Sequence, residues 1–135
     1  LDLPADRVLF VEGDLALPNL GMSQSDFDRV ARETDTVFHC AAFVNHVYNY
    51  TSLETANVFG FKEVLRLAAT DTEKVVNFVS SAVVMNTLGN LGLIVSENDP
   101  LPASMEDLRL MKMGYPRTKW AAEKLAESAA KVGIK

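Results

Sequence analysis

The chain has 135 residues, of which 48% are hydrophobic and 23% are charged, and its formal net charge is −5. This length and composition fit one globular domain with a sizeable core. Because the basic residues are scattered and outnumbered by acidic ones, a groove that binds nucleic acid is not expected. No apolar run approaches the roughly 20 residues that a membrane-spanning helix needs, so no membrane partner is expected.

The cysteine and histidine content limits two kinds of site. Cys40 is the single cysteine, so no disulfide can form within the chain, and a reducing, cytoplasmic location is the default expectation. We expect Cys40 to be a small buried hydrophobic residue. His39 and His46 are seven positions apart with no carboxylate beside either, which predicts no metal site. We expect His39 to be a core histidine, and His46 to lie in a loop near the site.

The hydrophobic pattern alternates between strand-like and helix-like segments. In chain order it predicts a strand at 7–12 within "RVLFVEGDL" (7–15), a helix that begins at Ser23, a strand in 34–43, a helix over 50–69, a strand in 74–84, an irregular segment over 85–112, and a helix from Gly114 or Tyr115 to about Lys131. This order is typical of an α/β protein with a parallel sheet. Gly60 inside the long helix costs about 1 kcal/mol relative to alanine, which indicates a close approach or a kink.

Three short stretches follow the predicted strands, at the edge of the sheet where ligands of open α/β proteins bind. They contain small or hydroxyl residues at 13–15, 41–44 and 80–82. Small residues also end strands for purely structural reasons. Taken singly, each stretch is therefore a weak signal.

Tyr115 and Lys119 are four residues apart in "GYPRTKWAAEKLAE", so they share one face of the last helix. Tyrosine has a pKa of about 10, too high for acid–base work at neutral pH. A neighbouring lysine ammonium favours the phenolate and lowers that pKa. With a serine at the end of a strand upstream, this pair matches a known catalytic arrangement, whose chemistry is proton transfer to or from an oxygen during hydride transfer.

Tyr115-Pro-Arg-Thr-Lys119, with Ser80-Ser81 upstream, resembles the extended short-chain dehydrogenase/reductase superfamily. The stretches "GDL" (13–15), "VFHCAAFVNHVYNY" (37–50), "NVFGFKEVLRLA" (57–68) and "GYPRTKWAAEKL" (114–125) resemble its thioester reductase branch. That branch comprises the terminal reductase domains of nonribosomal peptide and polyketide synthases, together with carboxylic acid and aminoadipate reductases. The resemblance runs nearly end to end.

The resemblance implies roles for individual residues. Tyr115 is expected to protonate the nascent oxyanion, and Lys119 to lower the tyrosine pKa and bind the nicotinamide ribose. Ser81, where many thioester reductases have threonine, matches the catalytic hydroxyl. The residues expected to bind the cofactor are Asp14, Leu15, Ala41, Ala42, Val44, Asn57, Ser80, Tyr115 and Lys119. NADP(H) is the expected cofactor, with NAD(H) left open, and the expected partner is an acyl thioester on the phosphopantetheine arm of a carrier domain.

One family feature is missing from this sequence. The superfamily has a Gly-x-x-Gly-x-x-Gly turn after its first strand, where helix N–H groups hold the pyrophosphate, and no such turn occurs here. We therefore expect residues 1–135 to be the central part of an NAD(P)-binding reductase domain. The expected fold is a partial Rossmann-like, doubly wound parallel sheet that lacks its first two strands. Exposed sheet edges follow from that expectation, and the isolated chain is expected either to self-associate or to re-pair its strands.

Two other functions are consistent with these motifs. A sugar-nucleotide epimerase or dehydratase of the same superfamily also contains Tyr-x-x-x-Lys, although "NHVYNY" followed by "TSLETANVFGFKEVLRLA" fits the thioester branch better. A non-catalytic binding module with a degenerate reductase fold is the third interpretation. The presence of Ser81, Tyr115 and Lys119 together argues against it.

Overall fold

The computed structural model of the chain describes residues 7–85, 92, 94–96, 98–102, 108–109 and 111–135. Its regular elements are α1 (Gln24–Glu33), β1 (Thr36–His39), α2 (Tyr50–Glu54), α3 (Gly60–Ala68), β2 (Val75–Phe78) and α4 (Gly114–Lys131). A π-helical turn, Thr55–Phe59, joins α2 and α3 into one continuous helix. Short 3-10 turns lie at Pro18–Gly21 and Ala82–Val84.

The two strands form a parallel pair, with Thr36 opposite Val75 and His39 opposite Phe78. The long helix α2–α3 makes the crossover between them, as parallel strands require. The α/β class with a parallel sheet is therefore confirmed. Both strands are four residues long, shorter than the apolar segments that predicted them.

The expected first strand is wrong. Residues 8–13 have no strand structure, and the side chains of Leu9 and Phe10 are 65% and 91% exposed. A strand needs a neighbour to pair its N–H and C=O groups. Within the described residues β1 pairs only with β2, and no strand lies beside residues 8–13. An apolar run alone therefore did not determine a strand.

The predicted helices are confirmed. Ser23 caps α1, since its Oγ accepts a hydrogen bond of 3.1 Å from the N–H of Asp26. The helix predicted over 50–69 is present from Tyr50 to Ala68. Helix α4 ends at Lys131, followed by Gly133 with a φ of +98°. Most of the irregular segment expected over 85–112 lies outside the described residues.

Helices α3 and α4 cover one face of the two-stranded sheet. The main core consists of Phe61, Val64, Leu65, Ala122 and Ala129, against which Val37, Val76 and Phe78 pack. Replacing a buried phenylalanine such as Phe61 by alanine typically costs about 3–5 kcal/mol. A second cluster, Phe27, Ala31 and Leu67, joins α1 to α3.

The opposite face of the sheet is open to solvent in the described part of the chain. Side chains alternate along a strand, so Val37 and His39 point to the core while Phe38 and Cys40 point away. Phe38 is 70% exposed, and Cys40 is exposed as a free thiol. The expectation of a buried Cys40 is therefore wrong, because its position at the end of β1 directs it to the uncovered face.

Gly60 makes the close approach that its place in a helix indicated. A Cβ at this position would lie 2.6 Å from the carbonyl oxygen of Leu15 and 3.0 Å from the Leu15 Cβ. The missing side chain therefore lets the segment after residue 13 pack on the long helix. None of the described helices is long and apolar enough to cross a membrane.

Candidate active site

Helix α4 begins where α2 begins, and Gly114 makes this contact possible. A Cβ on Gly114 would lie 2.5 Å from the Tyr48 carbonyl oxygen and 2.6 Å from that of Asn49. Only glycine allows the two backbones to approach this closely. The contact fixes the N-terminal turn of α4, which contains Tyr115.

Lys119 is buried, with 3% of its surface exposed. Its Nζ donates a hydrogen bond of 2.7 Å to the carbonyl oxygen of Val79 and lies 4.1 Å from the centre of the Phe78 ring. Burial lowers the pKa of Lys119, because the charged form loses solvation, while the negative charge of Glu123 acts in the opposite direction. The carbonyl and the aromatic face both favour the ammonium form.

The two serines after β2 have different surroundings. Ser80 donates a hydrogen bond from its Oγ to the carboxylate of Glu123 on α4. Ser81 is half-buried, in extended backbone, and precedes the turn Ala82–Val84. Among the described residues, no hydrogen bond joins the Ser81 and Tyr115 side chains. The structure thus brings the serine segment to α4 through Val79 and Ser80.

Asn57 connects three segments from a buried position. Its Oδ1 accepts a hydrogen bond of 2.7 Å from the N–H of Phe43, and its Nδ2 donates to the Phe43 carbonyl at 3.0 Å. The same Nδ2 donates to Thr118 Oγ1 at 3.1 Å, and Thr118 donates to the Tyr115 carbonyl at 2.8 Å. Asn57 lies in the π-helical turn Thr55–Phe59, a feature common at functional sites.

The segment 41–44 begins two residues after the end of β1 and is held at Phe43 by the Asn57 side chain. Ala41 and Val44 are exposed and Ala42 is half-buried. Small side chains and a fixed backbone leave an accessible surface at the carboxyl end of β1. This is the edge at which ligands bind in open α/β sheets.

His46 lies against Tyr115, with ring centres 5.7 Å apart in an edge-to-face arrangement. The Oδ1 of Asn45 holds this loop by accepting hydrogen bonds from the N–H groups of Val47 and Tyr48, at 2.8 and 2.9 Å. The expectation of a loop histidine near the site is confirmed. The contact packs the aromatic ring of Tyr115, which is 8% exposed.

His39 is a core residue, as expected. It is buried, and its ring stacks against those of Phe61 and Phe78, with ring centres 5.3 and 5.8 Å away. Burial, together with the positive charge of Lys119, lowers the pKa of His39 to about 4. His39 is therefore neutral at pH 7 and adds no charge next to Lys119.

Asp14 and Leu15 form a second group, away from α4. The N–H of Asp14 donates to the Leu20 carbonyl at 2.7 Å, and its Oδ1 accepts from the N–H of Ala16 at 2.8 Å. Asp14 also lines an open cavity of about 530 Å³ together with Gly13 and Gly21. None of the three candidate catalytic residues lines this cavity.

The candidate residues thus lie at two places joined by the long helix. Leu15 contacts it at Gly60, three residues after Asn57, and Asn57 is hydrogen-bonded to the α4 side. Sequence reasoning missed Glu123 and Thr118. Glu123 is four residues after Lys119 and on the same helical face, a signal that the sequence already contained. Nothing in the sequence indicated that Thr118 binds Asn57.

Comparisons with known proteins agree with this architecture. The NAD-binding family described as Male sterility protein matches residues 2–135. A linear gramicidin synthase polypeptide of Brevibacillus parabrevis is 40% identical over 131 residues, which are 96% of this chain and 2% of that protein. L-2-aminoadipate reductase of Schizosaccharomyces pombe is 32% identical over 141 residues, 97% of this chain and 10% of that protein.

A solved structure is also similar. The terminal R domain from the myxalamid PKS-NRPS biosynthetic pathway superposes with a TM-score of 0.80 at 34% identity, over 96% of this chain and 32% of that one. The chain therefore spans about a third of that solved chain and a small part of each curated relative. It belongs to the NAD-binding family described as Male sterility protein, in the thioester reductase branch of the extended short-chain dehydrogenases/reductases.

Proposed function

We propose that the parent protein of this chain is an NADPH-dependent reductase. It converts an acyl thioester on the phosphopantetheine arm of a carrier domain into an aldehyde or an alcohol. The observation that carries the proposal is the buried Lys119 ammonium, one turn from Tyr115 and hydrogen-bonded to Val79, next to Ser80 and Ser81. Residues 1–135 are the central part of the reductase domain in this proposal, consistent with their 32% coverage of the solved R domain.

The residues present fit a nicotinamide dinucleotide at two points. An ammonium has three N–H donors. Val79 takes one from Lys119 and no other described residue accepts one, so the others would meet a ribose hydroxyl. At the other end, the open cavity beside Asp14 offers a carboxylate as hydrogen-bond acceptor. Between these two points, the dinucleotide would be lined by Ala41, Ala42 and Val44, whose backbone is held by Asn57. NADPH, when bound, supplies the hydride.

The chain's own residues supply the proton. Ser81 holds the thioester carbonyl oxygen, and Tyr115 donates its phenolic proton to that oxygen as the carbon accepts the hydride. The positive charge of Lys119 stabilises the resulting phenolate. The hemithioacetal then loses the carrier thiol as its C–S bond breaks, which leaves the aldehyde. Reduction of the aldehyde to the alcohol takes a second hydride, from a second NADPH, and a second proton from Tyr115 after solvent has protonated it again.

The proposal is supported by the L-2-aminoadipate reductase relative and by the R domain of a PKS-NRPS pathway. Its test is an assay of the complete reductase domain with NADPH and an acyl group on a phosphopantetheine carrier. Oxidation of NADPH that depends on the acyl carrier is the expected result, with NADH and a nucleotide sugar as comparison arms. Turnover of the nucleotide sugar alone would reject the proposal.

A further inference from the structure

The face of α4 that contains Tyr115 and Lys119 continues one more turn to Glu123. Residues four apart on a helix are neighbours, so the three side chains form one row. Glu123 is half-buried and accepts a hydrogen bond from Ser80 Oγ. Ser80 follows Val79, whose carbonyl binds the Lys119 ammonium. The strand end and the helix are therefore joined twice, by Lys119 and by Glu123.

We infer that Glu123 is a positioning residue for the Tyr115–Lys119 pair, whose carboxylate, held by Ser80, keeps the buried Lys119 ammonium charged and in place. This inference rests on the proposed function of that pair. Glu123 touches neither reacting atoms nor cofactor in this proposal. It acts through Lys119.

The need for such a carboxylate follows from burial. A lysine with 3% exposure loses most of its hydration, which favours the neutral amine. The Val79 carbonyl and the Phe78 ring offset part of that loss with partial charges. Glu123 supplies the full opposite charge, and its interaction raises the Lys119 pKa against the effect of burial.

The other titratable groups facing Lys119 supply no substitute. His39 of β1 is neutral near pH 7, because its pKa is about 4. Tyr115 on the same helix is the proton donor in the proposed reaction and becomes negative only after transfer. His46 contacts Tyr115 from the loop after β1 and has no negative form to offer. Among the described residues, Glu123 is thus the anion whose charge acts on the Lys119 ammonium.

The test compares Glu123→Gln with the unchanged reductase domain across a range of pH. The amide keeps a hydrogen-bond acceptor for Ser80 but removes the charge. We expect the ratio of variant to unchanged turnover to approach one at acidic pH and to fall as the pH rises. At pH values above the Lys119 pKa of both proteins, the ratio is about tenfold lower for each unit by which the substitution lowers that pKa. Titration of the labelled Lys119 ε-carbon by NMR reports the same shift without turnover.

Three further variants separate the possible failures. Glu127→Gln is the matched control, since Glu127 is exposed on the same helix and pairs with Lys124 at 2.9 Å; it should leave both readouts unchanged. If Tyr115→Phe retains full turnover, the proposed function fails. If Tyr115→Phe is inactive while Glu123→Gln shows neither a pH-dependent ratio nor a lower Lys119 titration, this inference alone is wrong. Should Glu123→Gln not fold, Ser80→Ala, which frees the carboxylate, is expected to shift the lysine titration in the same direction.

Discussion

The ammonium of Lys119 on α4 donates a hydrogen bond of 2.7 Å to the carbonyl oxygen of Val79, just beyond β2. This bond joins the helix that contains Tyr115 to the strand end that contains Ser80 and Ser81. A buried cation requires such partners, because an unpaired charge in the interior is costly. The strand end and the helix start are consequently held in one arrangement, which the proposed proton transfer requires.

Asn57→Ala tests the amide that connects three segments. The variant loses hydrogen bonds to the N–H and C=O of Phe43 and to Thr118, and leaves buried polar groups without partners. We expect a loss of about 2–4 kcal/mol in the free energy of unfolding, together with faster amide exchange at Phe43. Urea denaturation and hydrogen exchange measure both. Asn98→Ala, at an exposed loop position, is the control, and an unchanged Phe43 exchange rate would show that Asn57 does not hold this loop.

Gly60→Ala tests the contact between the long helix and Leu15. Alanine in a helix is normally more favourable than glycine by about 1 kcal/mol. Here its Cβ would meet the Leu15 carbonyl at 2.6 Å, so Leu15 and Asp14 must move. We expect lower stability and weaker cofactor binding, measured by urea denaturation and calorimetry with NADPH. A variant that is more stable and binds as before would contradict this close packing.

The lowered pKa of His39 predicts how the free energy of unfolding depends on pH. Its pKa is about 4 in the folded chain and about 6.5 when unfolded. The unfolded state therefore binds a proton first as the pH falls. The contribution of His39 to the free energy of unfolding is fully present above about pH 6.5 and is lost as the pH falls toward about 4. The loss is on the order of 3 kcal/mol at most. Denaturation at a series of pH values should show this slope.

The His39→Gln variant should flatten that acid-side slope, because the titrating group is gone. His46→Gln is the matched control, at an exposed histidine on the loop that follows β1. It is expected to keep the slope. If the unchanged chain, His39→Gln and His46→Gln all lose stability with the same slope, groups other than His39 cause the acid sensitivity.

The helices could be predicted from the sequence because their signals are local. The Ser23 cap and the apolar faces of the long helix and of α4 each lie within a few turns of chain. The spacing of Tyr115 and Lys119 is likewise a local signal. Gly60 indicated a close approach, although not its partner Leu15, which is 45 positions earlier in the sequence.

The features that the sequence did not predict depend on contacts between distant segments. Residues 8–13 are apolar enough for a strand but have no strand beside them in the described part of the chain. Cys40 is hydrophobic in character, yet strand alternation turns it toward the uncovered face of the sheet. The bond between Asn57 and Thr118 spans 61 positions, so no local pattern could reveal it.

Tyr115 donates the proton in the proposed reaction, and Tyr115→Phe in the complete reductase domain removes that donor. The substitution removes only the hydroxyl and preserves the ring that packs against His46. Turnover of NADPH with an acyl-carrier thioester is predicted to fall by about 10²- to 10⁴-fold, while the variant still binds NADPH in calorimetry. Turnover equal to that of the unchanged domain would contradict the role of Tyr115 as the proton donor.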